Sequence, residues 1–455
     1  MAQFHCRWRN VFVCVCTPCI CLLLMLVFLT AMVCMSMNGA GAPGTNVQET
    51  PSHSVAPNDL RKKSFIPHAK TFWLAQDEGA FWNQLQLAIE RYFNPILRPN
   101  DFRKRMENSN FNESLLMESF IELMDSDSMR KNFDKLSWQM QKFVSHMQKR
   151  DYPAIIQPDG VCGAGAKDEK EPPLLLLAIK TTEHNYKNRM AIRQTWGKEG
   201  WVSGHKNSSG GRESGGYVRR VFLLGREDPE EEDVSLSELL QMESEHYGDI
   251  LQWDFTDTFF NLTLKDVLFW SWFSGSCNQT VFVFKGDDDV FVNTPNIITY
   301  LQDQLNKSQA NDTIADFMVG DVIDSAIPHR VNNSKYFIPD SFYRGLYPTY
   351  AGGGGVVYSG LLAKRLHEIS KSVHLFPIDD VYVGMCMIRL NTHPIHHPAF
   401  LTFDFPEKEK KELCSYHKIL LVHKRTPKQM VRLWADLKRT QRPCWDVPLR
   451  NAVKK

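Results

Sequence analysis

The chain has 455 residues, of which 43% are hydrophobic and 23% charged, a globular balance with room for two or three domain-sized units. Lys and Arg total 53 against 52 Asp and Glu, so no overall field favours a nucleic acid or an anionic membrane surface. A nucleic-acid-binding role is set aside on that ground.

The first expected element is a membrane anchor. From Val11 to Met37 the chain is almost wholly apolar, longer than the roughly 20 residues that cross a bilayer and than the core of a cleaved signal, about 7–15 residues. Arg7 and Arg9 precede it, and no Lys or Arg follows until Arg61, so the positive-inside rule leaves 1–10 as a cytosolic tail and the rest in the lumen. A cleaved signal is the competing reading. Asn-x-Ser/Thr sequons at Asn112, Asn207, Asn261, Asn278, Asn306, Asn311 and Asn332 fit a luminal chain. Cys6, Cys14, Cys16, Cys19, Cys21 and Cys34 lie in or beside the apolar run, whereas Cys162, Cys277, Cys386, Cys414 and Cys444 are scattered without zinc-site spacing.

Residues 38–71 read as a luminal stem, rich in Gly, Pro, Ser and Thr at its start. Over 72–160 the apolar spacing is helical, as at Phe81, Leu85, Leu87, Ile89 and Phe93, and predicts a helical collar; an extended stem with local helices is the alternative. From 161 to 455 the texture is that of a catalytic domain. Short apolar runs at Leu174–Ile179, Val221–Leu224, Ile250–Trp253 and Val281–Phe284 alternate with helical patterns at Asn188–Trp196, Ser235–Tyr247 and Leu262–Phe273. This is the pattern of an α/β fold with a mainly parallel central sheet. Gly197 to Gly216 reads as a polar loop near the strand ends.

The sharpest chemical feature follows the fourth of these strands, where Val281-Phe282-Val283-Phe284-Lys285-Gly286 runs straight into Asp287-Asp288-Asp289. Ligands of open α/β sheets bind at the carboxyl ends of strands. Hard carboxylate oxygens there suit Mn²⁺ or Mg²⁺, with substrate phosphates completing the shell. A solvated acidic turn is the bland alternative.

The strand-plus-acid arrangement resembles the DxD element of nucleotide-sugar glycosyltransferases. Ala191-Ile192-Arg193-Gln194-Thr195-Trp196-Gly197, Val221-Phe222-Leu223-Leu224-Gly225, Asp257-Thr258-Phe259-Phe260-Asn261-Leu262-Thr263-Leu264-Lys265, Tyr350-Ala351-Gly352-Gly353-Gly354-Gly355 and Asp379-Asp380-Val381-Tyr382-Val383-Gly384 resemble the β-1,3-glycosyltransferase family, galactosyltransferase family 31. They span Leu174 to the C-terminus, and Phe81-Trp82-Asn83 and Tyr92–Leu97 extend the likeness upstream. Within the family the chain most resembles the β-1,3-N-acetylglucosaminyltransferases that extend poly-N-acetyllactosamine.

The resemblance implies a GT-A-like domain and inverting transfer of N-acetylglucosamine from UDP-N-acetylglucosamine to a galactose-terminated glycan. It further implies a single-pass type II protein of the Golgi membrane, with room for homo- or hetero-oligomers with other glycosyltransferases. A β-1,3-galactosyltransferase shares nearly every motif, and a catalytically inactive luminal glycan-binding protein is the reading from another class. Asp380 matches the family's base, with Asp379 beside it; helix capping is its ordinary alternative. Asp287, Asp289 and the late His423 are the expected metal ligands; Asp287 and Asp288 are also expected on the donor side, Asp287 facing the donor sugar or ribose and Asp288 the most replaceable of the triplet. Arg189, Arg193, Thr195 and Trp196 fall where such enzymes place uracil and ribose, against a reading as helix-surface charge and core. Lys285 would neutralise phosphate or shield the triplet. Gly353 and Gly354, within Gly352–Gly355, would let backbone lie close to a sugar ring. Cys162–Cys277 and Cys386–Cys414 are the preferred bridges, leaving Cys444 unpaired or bridged elsewhere; spacing alone does not decide connectivity.

Overall fold

The computed structural model describes residues 72–73, 75–93, 121, 127–160, 162, 172–204, 215–227, 234–307, 314–439, 444 and 447–451. The expected tail, anchor and stem lie outside them. Among the described residues no helix is long and apolar enough to cross a membrane.

The helices described first are α1 (Phe81–Phe93), α2 (Asp127–Asp134) and α3 (Trp138–His146). Ser137 caps α3, its hydroxyl accepting from the Met140 amide. A short strand, β1 (Ala154–Ile156), leads to the main sheet. There β2 (Leu175–Lys180) is buried at every position, as a parallel strand covered on both faces must be. Next come α4 (Tyr186–Gln194), β3 (Gly200–Ser203), β4 (Gly215–Arg226), α5 (Val234–Tyr247), β5 (Ile250–Thr256), α6 (Leu262–Ser276) and β6 (Phe282–Asp287). The turn after β6 enters β7 (Phe291–Val292) and α7 (Thr294–Leu305), followed by β8 (Met318–Ile323), β9 (Tyr350–Ser359), α8 (Gly360–Ser370) and α9 (Asp379–Arg389). The chain closes with β10 (Ile395–His396), β11 (Phe400–Leu401), β12 (Leu421–Val422) and α10 (Pro427–Lys438), the last opened by a Thr426–Gln429 capping box.

The main sheet runs β1-β5-β4-β2-β6-β9-β8-β10, with β3 paired to β4. Its centre, β5-β4-β2-β6, is parallel, while β9 is antiparallel to both β6 and β8. The chain steps outward from β2 to β5, then crosses back to β6 on the other side of β2. That reversal opens a crevice at the carboxyl ends of β2 and β6, where Lys180 pairs in register with Asp287. A small second sheet, β11-β12-β7, lies over this end.

The helical region of 72–160 packs into the same core as the sheet. Phe81, Trp82, Leu85, Met140 and Phe143 join Phe342, Phe376 and Tyr382 in one cluster. Trp82 Nε1 donates to the Leu375 carbonyl at 3.0 Å, Asn83 Nδ2 to the Arg344 carbonyl at 2.7 Å, and Glu90 pairs with Arg389 at 3.1 Å.

Two expectations are corrected. Residues 200–203 of the expected polar loop form β3, antiparallel to the start of β4. Cys162–Cys277 is a bridge, but Cys414 pairs with Cys444 rather than Cys386. Cys386 points from α9 into the core as a free thiol, which burial pushes up to about 12. A side chain committed to packing inside the protein is not available to Cys414.

Candidate active site

The β6–β7 turn sends its three carboxylates in different directions. Asp287 and Asp289 face the crevice, and His423, carried just past β12 by the small second sheet, meets them there. His423 Nε2 lies 3.1 Å from Asp289 and 3.8 Å from Asp287. Burial opposes charge on His423, but the two carboxylates outweigh it and raise its affinity for a proton. The same contact holds Asp289 below the usual carboxylate range against the upward push of burial. One ligand atom from each of the three side chains can be placed within 4.8 Å of the others. Two carboxylate oxygens and an imidazole, half-exposed at a crevice mouth, fit Mn²⁺ or Mg²⁺ with positions left for substrate oxygens.

Asp288 turns the other way. It is 6% exposed, accepts from the Thr181 hydroxyl, and takes the Asn188 amide at 3.2 Å. Burial raises its pKa to about 6 despite these bonds. It therefore ties the acidic turn to the end of β2 and to α4, and is not the freely replaceable, donor-facing member expected of it.

Across the crevice, α9 begins at Asp379 and Asp380 after Pro377, with Ile378 as N-cap and no side-chain cap. The capping explanation for these acids therefore does not apply, although the helix dipole favours carboxylates in this first turn. Asp379 is gripped by Lys180 at 2.5 Å, with Lys285 at 3.8 Å. Burial opposes its charge, but the two ammonium groups hold it well below the ordinary range. Asp380 accepts from the Gly353 amide at 3.2 Å. Burial, with the charge of Asp379 next to it, pushes Asp380 up to about 8. Neighbouring carboxyls driven in opposite directions mark out an acid–base group and its charged partner.

Lys180 also lies 3.2 Å from Asp287, so one buried ammonium spans the metal side and the base side of the crevice. Lys285 is turned inward to Asp266, at 2.6 Å, in the apolar helix α6. It acts on Asp379 from beneath and offers nothing to a phosphate. Lys180 and Asp266 were not among the expected site residues. The signals available were a Lys ending an apolar run and an acid inside a largely apolar helix.

Three further expectations are redirected. Arg189 and Arg193 clamp α4 to α5: Arg189 pairs with Glu243 at 2.7 Å, and Arg193 with Glu243 at 2.6 Å and Asp249 at 2.7 Å. Trp196 is 1% exposed and meets Phe284 edge-on, and the Thr195 hydroxyl is spent on the Ala191 carbonyl at 2.6 Å. None of these groups faces the crevice. The glycines of β9 are crowded by the protein itself: a Cβ on Gly354 would stand 2.3 Å from Val290 and 2.9 Å from the His423 ring. Gly353, at φ +87°, leaves room for Thr402. The run lets β9 lie close against Val290, Thr402 and the His423 ring.

A doubly wound half-sheet with two carboxylates and a histidine at its switch point, faced by a carboxyl held near neutrality, defines an enzyme of the nucleotide-sugar transferase class. Comparison with known proteins specifies it. Residues 187–398 match the galactosyltransferase family profile. The chain is 40% identical over 400 residues to the N-acetyllactosaminide beta-1,3-N-acetylglucosaminyltransferase 2 of Homo sapiens, covering 88% of this chain and 94% of the relative. It is 41% identical over 381 residues to the Mus musculus protein of that name, covering 83% and 89%. The Homo sapiens N-acetyllactosaminide beta-1,3-N-acetylglucosaminyltransferase 4 is 41% identical over 296 residues, covering 64% and 70%. The chain belongs to the galactosyltransferase family, and it is a glycosyltransferase.

Proposed function

We propose that this protein transfers N-acetylglucosamine from UDP-N-acetylglucosamine, with inversion, to the 3-hydroxyl of a terminal galactose on a lactosamine-type glycan. The donor and linkage rest on the names of relatives alike over nearly the whole chain. The observation that carries the chemistry is the meeting of Asp287, Asp289 and His423 with Asp380 across one crevice, joined by Lys180. Asp287, Asp289 and His423 would hold the divalent cation, which when bound neutralises charge on the departing diphosphate. Asp380, raised to about 8, is suited to take the proton of the acceptor hydroxyl as the new bond forms. Asp379 stays ionised beside it, fixed by Lys180 and Lys285. A Golgi-membrane, type II placement is supported by the apolar run at 11–37, by the sequons and by two disulfides in the folded part.

The test is an assay of the solubilised protein with a panel of UDP-sugars and with galactose- or N-acetylglucosamine-terminated acceptors, with and without EDTA. Asp380→Asn is expected to lower kcat by about 10²–10⁴ with little change in donor KM. Transfer of galactose in place of N-acetylglucosamine would overturn the donor assignment. Activity that survives both EDTA and Asp380→Asn would overturn the mechanism.

A further inference from the structure

A cavity of about 990 Å³ opens between α3, the β5–α6 connection and the turn at 332–337. None of Asp287, Asp289, Asp380 or His423 lines it. Its floor is aromatic. Phe143 meets Phe260 edge-on at 6.2 Å, and Phe260 leans on Phe259 at 5.9 Å. Trp138 stands at the lip with its indole 70% exposed, and Gln139 and Glu227 give the rim a polar edge.

Asn332-Asn333-Ser334, one of the sequons, lies on that lip. Its turn is held in shape: the Ser334 amide donates to the Val331 carbonyl at 3.0 Å, and the Ser334 hydroxyl accepts from the Tyr336 amide at 3.2 Å. The same turn packs onto the floor. The Lys335 ammonium is 5.0 Å from the centre of the Phe259 ring, and Tyr336 meets that ring edge-on at 5.3 Å. Asn332 itself is exposed. The lining holds a second sequon asparagine, Asn261, but it donates its amide to the Thr256 carbonyl at 2.8 Å. The Thr263 of that sequon is fully buried, its hydroxyl on the Phe376 carbonyl at 2.5 Å. Of the two, Asn332 is the one open in the folded chain.

We propose that Asn332 carries an N-linked glycan whose first sugars lie in this cavity, on the aromatic floor, as a fixed part of the folded enzyme. The proposal rests on the luminal placement above, where sequons are modified. In that modification the Asn332 amide nitrogen attacks the anomeric carbon of a lipid-diphosphate-linked oligosaccharide. A C–N bond forms, the C–O bond to the diphosphate breaks, and the amide gives up one proton. An N-linked glycan ordinarily only enlarges and solubilises a surface. Here the first sugar starts beside Phe259, and its apolar C–H face and acetyl methyl gain by covering aromatic carbon while its hydroxyls meet the polar rim. Tethering settles the competition. A ligand held at the lip by a short link is present at an effective concentration on the order of millimolar, so the enzyme's own glycan fills the cavity ahead of a free one.

The experiment uses the full chain expressed in animal cells and solubilised in detergent. Peptide mapping is expected to find a glycan on Asn332 that peptide N-glycosidase removes. Hydroxyl-radical footprinting then reads how open the Trp138 indole is. Asn332→Gln and enzymatic removal of the glycan are both expected to raise Trp138 oxidation several-fold and to lower the melting temperature by about 2–4 °C. Ser334→Thr, which keeps the sequon, is expected to match the wild type in both readings. Trp138→Ala is expected to lower the melting temperature of the glycosylated chain but not of the Asn332→Gln chain, the non-additivity of groups in contact. Additive effects, or Trp138 oxidation indifferent to the glycan, would overturn the seat in the cavity. The assignment to Asn332 fails if its peptide is unmodified, or if the same changes follow Asn261→Gln instead. A chain carrying no N-glycan at any sequon would overturn the luminal placement and this proposal with it, whereas one glycosylated elsewhere but bare at Asn332 overturns this proposal alone.

Discussion

At the scale of single residues, adjacency does opposite things to two carboxyls. Asp379 has two ammonium neighbours that keep it charged against burial, whereas burial and then the charge of Asp379 push Asp380 up to about 8. A base must be unprotonated to act, so kcat/KM is expected to rise with pH through an apparent pKa raised far above a free Asp. Asp379→Asn removes the charge that raises Asp380 and leaves Lys180 and Lys285 to lower it, so the rising limb should move to lower pH by a unit or more. A limb that stays in place in pH–rate profiles of the variant would show that some other group sets it. The acidic turn was readable from its position after an apolar strand, and Asp380 from the family word around it. The inward turn of Asp288 was not, because Thr181 lies 107 positions away in the chain. Spacing carries no record of such a partner.

At the scale of elements, α4 and α5 are held together by charges inside the protein. Arg189 and Arg193 share Glu243, while Arg193 and Arg220 share Asp249, all nearly fully buried. Burying such a network gains little over apolar packing, but breaking it leaves charges stranded, at a cost of about 3–5 kcal/mol. Glu243→Ala is therefore expected to lower the melting temperature by several degrees while donor KM, measured well below that temperature, stays constant. A large rise in donor KM at unchanged melting temperature would return Arg189 and Arg193 to a nucleotide-binding role. The strand and helix pattern itself was legible from Leu174 to Phe284, because parallel strands need apolar residues on both faces and helices keep their own period. The arginines were misleading for the opposite reason. A buried guanidinium and a nucleotide-binding one look alike until the acids opposite them are known.

At the scale of the whole molecule, the decisive question is where the folding unit begins. Composition changes texture near Pro172-Pro173 and points to a boundary about residue 161. Packing points earlier. Helix α1 contributes Phe81, Trp82, Leu85, Leu87 and Ile89, each at most 6% exposed. Trp82 and Gln86 bond to the loop before α9, and Glu90 pairs with Arg389 at the far end of that helix. Burying one large apolar side chain is worth about 1.5–3 kcal/mol, against a net stability of about 5–15 kcal/mol for a whole domain. Deleting α1 would thus remove apolar burial comparable to the entire margin. It would also strip cover from Phe376 and the segment that aims Asp379 and Asp380 at the crevice. A secreted chain beginning at residue 72 is accordingly expected to melt in one cooperative transition and to transfer sugar. A chain beginning at residue 161 is expected to be retained or aggregated, with no cooperative melt by circular dichroism. A 161-start chain that unfolds cooperatively and keeps full activity would make α1–α3 dispensable and leave the base-bearing helix supported by the sheet alone.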